Sequence, residues 1–367
     1  GGPADAEAVV RMSATMTDRG PDGNGLVGRG RVVLAHRRLR IIDLSEKAEQ
    51  PMADPELGIT LVFNGCIYNY PALREELRGL GYRFFSNGDT EVVLKAWHAW
   101  GERCVDRFHG MFAFALHERE SGRLVLARDR FGIKPLYLHQ SPGRLRFAST
   151  LPALLAGGEV DTSIDTVALH HYLSFHAVVP APRTILNGIR KLPPATLRII
   201  EPDGRHRDRL YWNPPFARSA EDAGRSAQEW RDAVLQALRV AVDRRMVSDV
   251  PVGVLLSGGV DSSLVVGLLA EAGQSGLQTF SVGFEEAYGE KGDEFTYSDL
   301  IARRYATDHH RIFVPSARLM ESLPGTIAAM SEPMVSYDNV GFYLLSQEVS
   351  KHVKVVQSGQ GADEVFA

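Results

Sequence analysis

The stretch that most constrains this chain is VPVGVLLSGGVDSSLVVGLLAEAG, residues 250–273. An apolar strand runs directly into a loop of glycine and serine that opens a helix. Backbone N–H groups in such a loop point outward beside a helix N-terminus, which makes a cradle for an anion such as phosphate. It is not the GxxxxGKS phosphate loop, because the lysine is missing and Asp261 stands in the loop instead. A carboxylate beside phosphates repels them unless a divalent cation lies between, so Asp261 predicts Mg²⁺. Ser257, Ser262 and Ser263 add hydroxyl donors. A serine-capped turn without a ligand is the plain alternative for SGG alone. The full SGGVDSS after an apolar strand is far more specific.

From about residue 230 onward, strand-like and helix-like runs alternate: EWRDAVLQALRVAVDRRM, VPVGVLLS, SSLVVGLLAEAG, LQTFSVGF, a helix around Tyr297–Tyr305, and HHRIFVP. That rhythm predicts a doubly wound parallel α/β sheet. Residues 1–212 read differently, with short β runs such as RVVLAHRRLRIID, GITLVFNG, GMFAFALHE and GRLVLARD broken by the helical patterns PALREELRGLG and DTEVVLKAWHAWG, as in an antiparallel α+β domain. Between them NPPFARSAEDAGRSAQE, residues 213–229, is polar and lacks apolar periodicity, so it reads as a linker before a second domain at 230–367. A chain of 367 residues with 44% hydrophobic content can fill two cores.

The 41 basic and 45 acidic residues leave a charge of −4, without the basic stripe of a nucleic-acid binder. Small molecules are the expected partners, with no nucleic acid and no membrane; a homodimer is left open. Cys66 and Cys104 are the only cysteines and have no CxxC spacing, which suits a reducing cytoplasm and argues against a zinc site. The paired histidines His170, His171 and His309, His310 lack a ligand array and read as structural. The chain opens on GGPADAEAVV and closes on GADEVFA, from which a fragment open at both ends is expected.

SGGVDSS, followed one strand later by TFSVGF at 279–284, resembles the pyrophosphate loop and adenine segment of ATP pyrophosphatases. SGQGADEVFA at 358–367 resembles a segment of glutamine-dependent asparagine synthetases, which carry that domain behind a glutaminase. The front half agrees through RGPDG (19–23), AHRRLRIID (35–43), FNGCIYNY (63–70), GDTEV (88–92), GMFAFAL (110–116) and RDRFGIKPLYL (128–138), in the family's order. The resemblance implies an N-terminal nucleophile hydrolase-type αββα sandwich, followed by an incomplete sheet of the adenine nucleotide alpha hydrolase kind.

It further implies a glutamine pocket of Arg38, Leu39, Ile41, Ile42, Asn64, Gly65, Cys66 and Asp89. Arg38 would meet the α-carboxylate and Asp89 the α-amine, while the Asn64 side chain and Gly65 N–H would form the oxyanion hole. ATP would be bound by Leu255, Ser257, Gly258, Gly259, Asp261, Ser262, Val282, Ser358 and Gly359, with Mg²⁺ on Asp261 and Asp363. The family's nucleophile is a cysteine at the first position of the mature chain; Cys66 and Cys104 are internal, so that residue and its short strand are expected to precede Gly1.

Three positions depart from the family pattern: Cys66 and Gln360 replace glutamates, Gln360 near the acyl-adenylate, and Thr150 replaces a third in FAST. The NGC segment itself reads as a turn. With FASTLPALL and HAVVPAPRTIL, these changes resemble the N-acetylglutaminylglutamine amidotransferases, which amidate a dipeptide osmoprotectant. Asparagine synthesis from aspartate is the nearer alternative, and a non-catalytic sensor of glutamine or ATP is one of a different class.

Overall fold

In ITLVFNGCI the side chains alternate between two buried faces, and the computed structural model shows what each face meets. It describes residues 4–216, 219–220, 222–285, 295–336 and 338–366. The chain divides into two units: one runs to Pro215 and takes in Ser331–Pro333, and the other holds Phe216–Met330 and Met334 onward. Part of the expected linker, at 217, 218 and 221, lies outside the described residues.

The strands of the first unit are β1 (Gly23–Arg29), β2 (Val32–Arg38), β3 (Met52–Asp54), β4 (Ile59–Ile67), β5 (Gly110–Glu118), β6 (Leu124–Arg128), β7 (Tyr137–Ser141), β8 (Arg144–Ala148), β9 (Arg190–Lys191), β10 (Thr196–Ile200) and β11 (His206–Leu210). Six of them form an antiparallel sheet in the order β11-β10-β6-β5-β4-β3. The hairpin β1-β2 and the sheet β8-β7-β9 form the second layer.

One face of the large sheet buries Leu61, Phe63, Phe112 and Phe114 against Leu73 and Leu77 of helix α2 (Tyr70–Gly79) and Val92, Val93 and Ala96 of helix α3 (Asp89–Trp100). Its other face packs Val62, Ala113 and Ala115 on Leu34 of β2 and Leu136 and Leu138. Beyond the second layer, Met12 of helix Ala6–Ala14 meets Leu151 and Leu154 of helix Leu151–Ala156 around Tyr137 and Ala148. The order helix, sheet, sheet, helix is the αββα sandwich that the family resemblance implies.

One expectation changes. NGC is not a turn: Asn64, Gly65 and Cys66 lie within β4, opposite Ala113, Phe112 and Met111 of β5. Gly65 makes this close pairing possible, because a Cβ there would lie 2.2 Å from the Met111 carbonyl oxygen and 2.7 Å from Phe112 Cα.

In the second unit β12 (Val252–Leu255), β13 (Gln278–Phe284), β14 (Asp308–Val314) and β15 (Val355–Gln357) form a parallel sheet in the order β14-β13-β12-β15. The first helix starts at Ala227, inside the stretch expected to be linker, because Ser226 and Glu229 form a capping box that satisfies the first turn. Successive crossovers carry the chain from β12 out to β14, and β15 then returns to the opposite side of β12. The order therefore reverses between β12 and β15, the place where doubly wound sheets bind ligands at the carboxyl ends of their strands.

The packing of α2 onto the large sheet yields a direct test. Leu77 is fully buried in that cluster, so Leu77→Ala should lower the unfolding free energy by about 2–5 kcal/mol. Urea denaturation should show a lower midpoint with an unchanged slope.

Candidate functional site

The first candidate site is built along β4. Side chains alternate across a strand, so Asn64 and Cys66 project from the same face as Val62, toward the second layer. At the end of β2, Arg38 is 6% exposed. Its guanidinium donates to the carbonyls of Ser45 (2.9 Å), Ile42 (3.4 Å) and Asp43. Ile41 and Ile42 thus sit in a loop wrapped round Arg38 rather than in a continuing strand, with Leu39 at its start.

Asp43, at φ 51, closes that loop. Its Oδ1 accepts from the Ser45 N–H (3.0 Å) and hydroxyl (2.6 Å), and its Oδ2 accepts from the Asn87 N–H (2.7 Å). Burial opposes its charge, but these donors and Arg38 outweigh it and hold the carboxyl below its ordinary value. Asn87 belongs to the turn Ser86–Gly88, whose Ser86 and Gly88 carbonyls each accept from the buried Arg74 at 2.7 Å. Asp89 follows at the head of α3, and its Oδ2 accepts the Ile67 N–H at 2.9 Å.

A continuous set of hydrogen bonds therefore links Arg38, the 41–45 loop, the 86–88 turn, Asp89 and the end of β4. This brings the Arg38, Asn64–Cys66 and Asp89 motifs into one framework. Asp43 and Arg74, which hold it, were not singled out from the sequence. An aspartate tolerant of positive φ, closing RIID, is the signal for the first; Arg74 lies on an unremarkable amphipathic helix and offers none.

Burial pushes the Asp89 carboxyl up to about 6, against the pull of the Ile67 N–H and the first N–H groups of α3. It is a carboxyl removed from water, and the charge of Arg74 acts with those N–H groups against the effect of burial. Cys66 is 8% exposed and lies near Lys134. Burial and Arg19 lower the Lys134 amine from its ordinary value, with Asp129 and Cys66 acting in the other direction. Asp129, 1% exposed, sets the turn that carries Lys134: it accepts from the N–H groups of Phe112 (3.1 Å), Phe131 (3.1 Å), Ile133 (3.0 Å) and Lys134 (2.9 Å). Cys104 is buried far from this face among the helix-side core, where burial raises its thiol pKa strongly.

In the second unit, the SGGVDSS loop joins β12 to helix Val260–Glu271, with Gly259 as its N-cap. Ser257 Oγ is 3.0 Å from Ser262 Oγ and accepts the Gly259 N–H at 3.3 Å, so two of the expected donors preorganise the loop. Gly258 has φ +93, and a Cβ there would lie 2.6 Å from Tyr297 Cβ. A Cβ on Gly359 would lie 2.8 Å from Asp261 Cβ and from the Ser262 nitrogen, so the Ser358–Gly359 loop after β15 touches the loop after β12. Leu255 and Val282 pack at the edge of one apolar cluster around Phe280.

Gln360 is exposed, its N–H donated to Ser358 Oγ at 3.1 Å. Asp363 begins a short helix, Asp363–Phe366. Among the described residues no three His, Cys, Asp or Glu side chains gather as a metal centre. Asp261 and Asp363 carry hard oxygen donors, the ligand type that suits a magnesium ion. Thr150 has a local role, capping helix Leu151–Ala156 by accepting the Ala153 N–H at 3.3 Å.

An αββα unit that gathers the Arg38, Asn64–Cys66 and Asp89 motifs, ahead of a parallel sheet with a glycine–serine loop at its switch point, has a two-domain amidotransferase architecture. In comparison with known proteins, residues 2–212 match the glutamine amidotransferase domain and residues 233–367 the asparagine synthase domain. Asparagine synthetase [glutamine-hydrolyzing] 1 of Bacillus subtilis is 35% identical over 99% of this chain and 56% of its own length. Putative asparagine synthetase 2 of Methanocaldococcus jannaschii is 34% identical over 98% of this chain and 72% of its length. A putative asparagine synthetase of Mycobacterium bovis is 37% identical over 98% and 56%. The chain belongs to the glutamine-hydrolysing asparagine synthetase family, and it spans a little over half the length of the first of these relatives.

The two buried titrating groups predict opposite pH slopes. Asp89 keeps its proton up to about pH 6 in the folded protein but loses it near 3.8 when unfolded. Its stabilising contribution is therefore full below 3.8 and lost as pH rises through 6. Burial pushes His36 down to about 4 from 6.5, so its contribution is full above 6.5 and lost as pH falls through 4. Asp89→Asn should remove the first slope alone. Its stability relative to the native protein should rise between pH 4 and 6.5 by up to about 3 kcal/mol, read by denaturation at fixed pH values.

Proposed function

We propose that this chain is the glutaminase and nucleotide-activating part of an ATP-dependent amidotransferase. The observation that carries the reading is the single hydrogen-bonded framework joining Arg38, Asp89 and the Asn64–Gly65 strand. Glutamine's α-carboxylate would take the remaining donors of the Arg38 fork, and its α-ammonium would pair with Asp89, favouring that group's charged form. The amide carbonyl would then lie along β4, where the Asn64 side chain and the Gly65 N–H receive the oxygen as it becomes negative.

The attacking thiol is assigned to a cysteine at the start of the mature chain, activated by its own α-amine. A cleft of about 450 Å³ between β2 (Val32–Ala35) and β8 (Arg144–Phe147) supports a place for the strand that would carry it. Among the described residues β2 pairs with β1 and β8 with β7, so each has a second edge free of a strand partner.

In the second unit, the N–H groups of the 257–259 loop and the hydroxyls of Ser257 and Ser262 would hold the pyrophosphate of ATP. Leu255 and Val282 would flank the base, and Asp261 and Asp363 would hold Mg²⁺. ATP supplies an adenylate leaving group on the acceptor carboxylate, which ammonia then displaces.

The acceptor we favour is N-acetylglutaminylglutamine. Gln360 supports it, because a neutral amide replaces a glutamate near the adenylate, as do the FASTLPALL and HAVVPAPRTIL stretches. Aspartate is the competing acceptor, favoured by the names of the relatives. Full-length enzyme given ATP, Mg²⁺ and ammonia should release AMP with the dipeptide; AMP release with aspartate and none with the dipeptide reverses the assignment.

Two substitutions test the sites themselves. Asp261→Asn should abolish pyrophosphate release while full-length enzyme still hydrolyses glutamine. Cys66→Ser should keep glutamine hydrolysis within about tenfold, or about 1.4 kcal/mol in barrier, since Cys66 lines the pocket without attacking. Complete loss in that variant would make the thiol part of the chemistry.

A further inference from the structure

Strand β4 has an unusual second edge. Along its first edge it pairs with β5 from Ile59 to Ile67. Along its second, among the described residues, β3 covers only Ile59–Leu61. Peptide groups alternate in direction along a strand, so the N–H groups of Leu61, Phe63, Gly65 and Ile67 share one edge. Leu61 lies opposite Met52 of β3. Phe63 meets the side-chain amide of Gln50, which is 8% exposed: Gln50 Oε1 accepts the Phe63 N–H at 2.6 Å, and Gln50 Nε2 donates to the Phe63 carbonyl at 3.1 Å. Ile67 donates to Asp89. Gly65 lies between these two side-chain-capped peptides, and its N–H faces the same edge.

The Phe63 carbonyl takes a further donor. His36 Nε2 lies 3.1 Å from it, and a carbonyl can only accept, so this nitrogen carries the proton of the neutral ring. His36 stands opposite Gly25 in the β1-β2 hairpin. A Cβ on Gly25 would lie 2.2 Å from the Gln50 carbonyl oxygen, so the absence of a side chain there lets Gln50 close on the hairpin. One peptide thus receives two side-chain donors and one acceptor, immediately before Asn64.

We propose that Gln50 and His36 are positioning residues for the oxyanion site: their joint grip on the Phe63 peptide fixes β4 so that the Asn64 side chain and the Gly65 N–H converge on one oxygen. This rests on the glutaminase reading given above. Gln50 supplies the pairing that β3 would give if it extended two residues farther, but does so with a side chain, leaving the neighbouring Gly65 N–H without a covering strand. A true strand at this edge would pair with Gly65 and close the site. His36 doubles the hold on the carbonyl, and because burial keeps its ring neutral down to about pH 4 the grip does not titrate in the working range.

The test uses full-length enzyme with its native N-terminus and compares two ligands. The aldehyde analogue of glutamine adds a thiol to give a tetrahedral oxygen that needs the oxyanion site, whereas glutamate needs only the carboxylate and amine contacts. Gln50→Leu should lower kcat for glutamine hydrolysis and aldehyde affinity together, on the order of a hundredfold, with glutamate affinity unchanged. Gln50→Glu, which keeps the acceptor and loses the donor, should fall between. His36→Leu should weaken aldehyde binding, and His36→Gln, which restores a donor, should recover most of it with the native pH profile. A reduced folded fraction weakens both apparent affinities by the same factor, so partial misfolding of a variant leaves the aldehyde-to-glutamate ratio readable. Equal losses for both ligands, or an unchanged ratio in Gln50→Leu, would overturn the positioning role. Native enzyme that binds glutamate and aldehyde without hydrolysing glutamine would instead overturn the glutaminase reading beneath it.

Discussion

The edge of β4 that β3 leaves uncovered is the constraint on which the first unit depends. A strand with an exposed edge is ordinarily a liability, since its unpaired N–H and C=O groups invite another strand. Here side chains meet the demand one peptide at a time: the Gln50 amide at Phe63 and the Asp89 carboxylate at Ile67. Neither residue is free to move, because the Gln50 backbone is packed on the β1-β2 hairpin and Asp89 begins α3. The edge can therefore remain open at Gly65 without becoming flexible. A binding site for a developing negative charge requires both properties, an available N–H and a fixed direction.

The same framework explains which parts of the fold the sequence revealed. Alternation in ITLVF and GMFAFALHE, and three-to-four spacing in DTEVVLKAWHAW, report burial on two faces and on one stripe, so β4, β5 and α3 were legible. NGC was not, because asparagine and glycine signal turns through local backbone preference alone. What keeps them in a strand is nonlocal: β5 approaches so closely that only glycine fits opposite Phe112. Gln50 was invisible for a related reason. Its importance comes from the Phe63 peptide, 13 positions away in sequence, and a lone glutamine before proline carries no pattern that announces such a partner.

The second unit was more legible because its chemistry is more local. A glycine loop between an apolar strand and a helix has one common geometry, and the loop at 257–259 adopts it with Ser257 and Ser262 bonded to each other. Sequence could not show that the 358–361 loop would come to rest against it. That follows from strand order: β15 lies beside β12 on the side away from β13, so the loops leaving both carboxyl ends are neighbours. Gly359 then becomes necessary, since any side chain there would meet Asp261 and the first turn of the phosphate-loop helix.

The substitution at Cys66 can be weighed against its surroundings in the same physical terms. A carboxylate at this position, as the resemblance expects, would favour the charge of the partly buried Lys134 and help hold its proton. With a thiol there, burial and Arg19 lower the Lys134 amine from its ordinary value. The pocket would then offer glutamine's ammonium one carboxylate, Asp89, whose own charge burial suppresses to about pH 6. Binding of the ammonium would then favour the ionised form of Asp89 and lower its pKa, and ionised Asp89 would in turn strengthen the binding. Removing a glutamate from this site therefore changes more than one contact. On the reading proposed above it would leave recognition of the amine to a carboxylate whose Oδ2 already anchors the end of β4 through Ile67, so that substrate binding and the geometry of β4 would be joined through a single side chain.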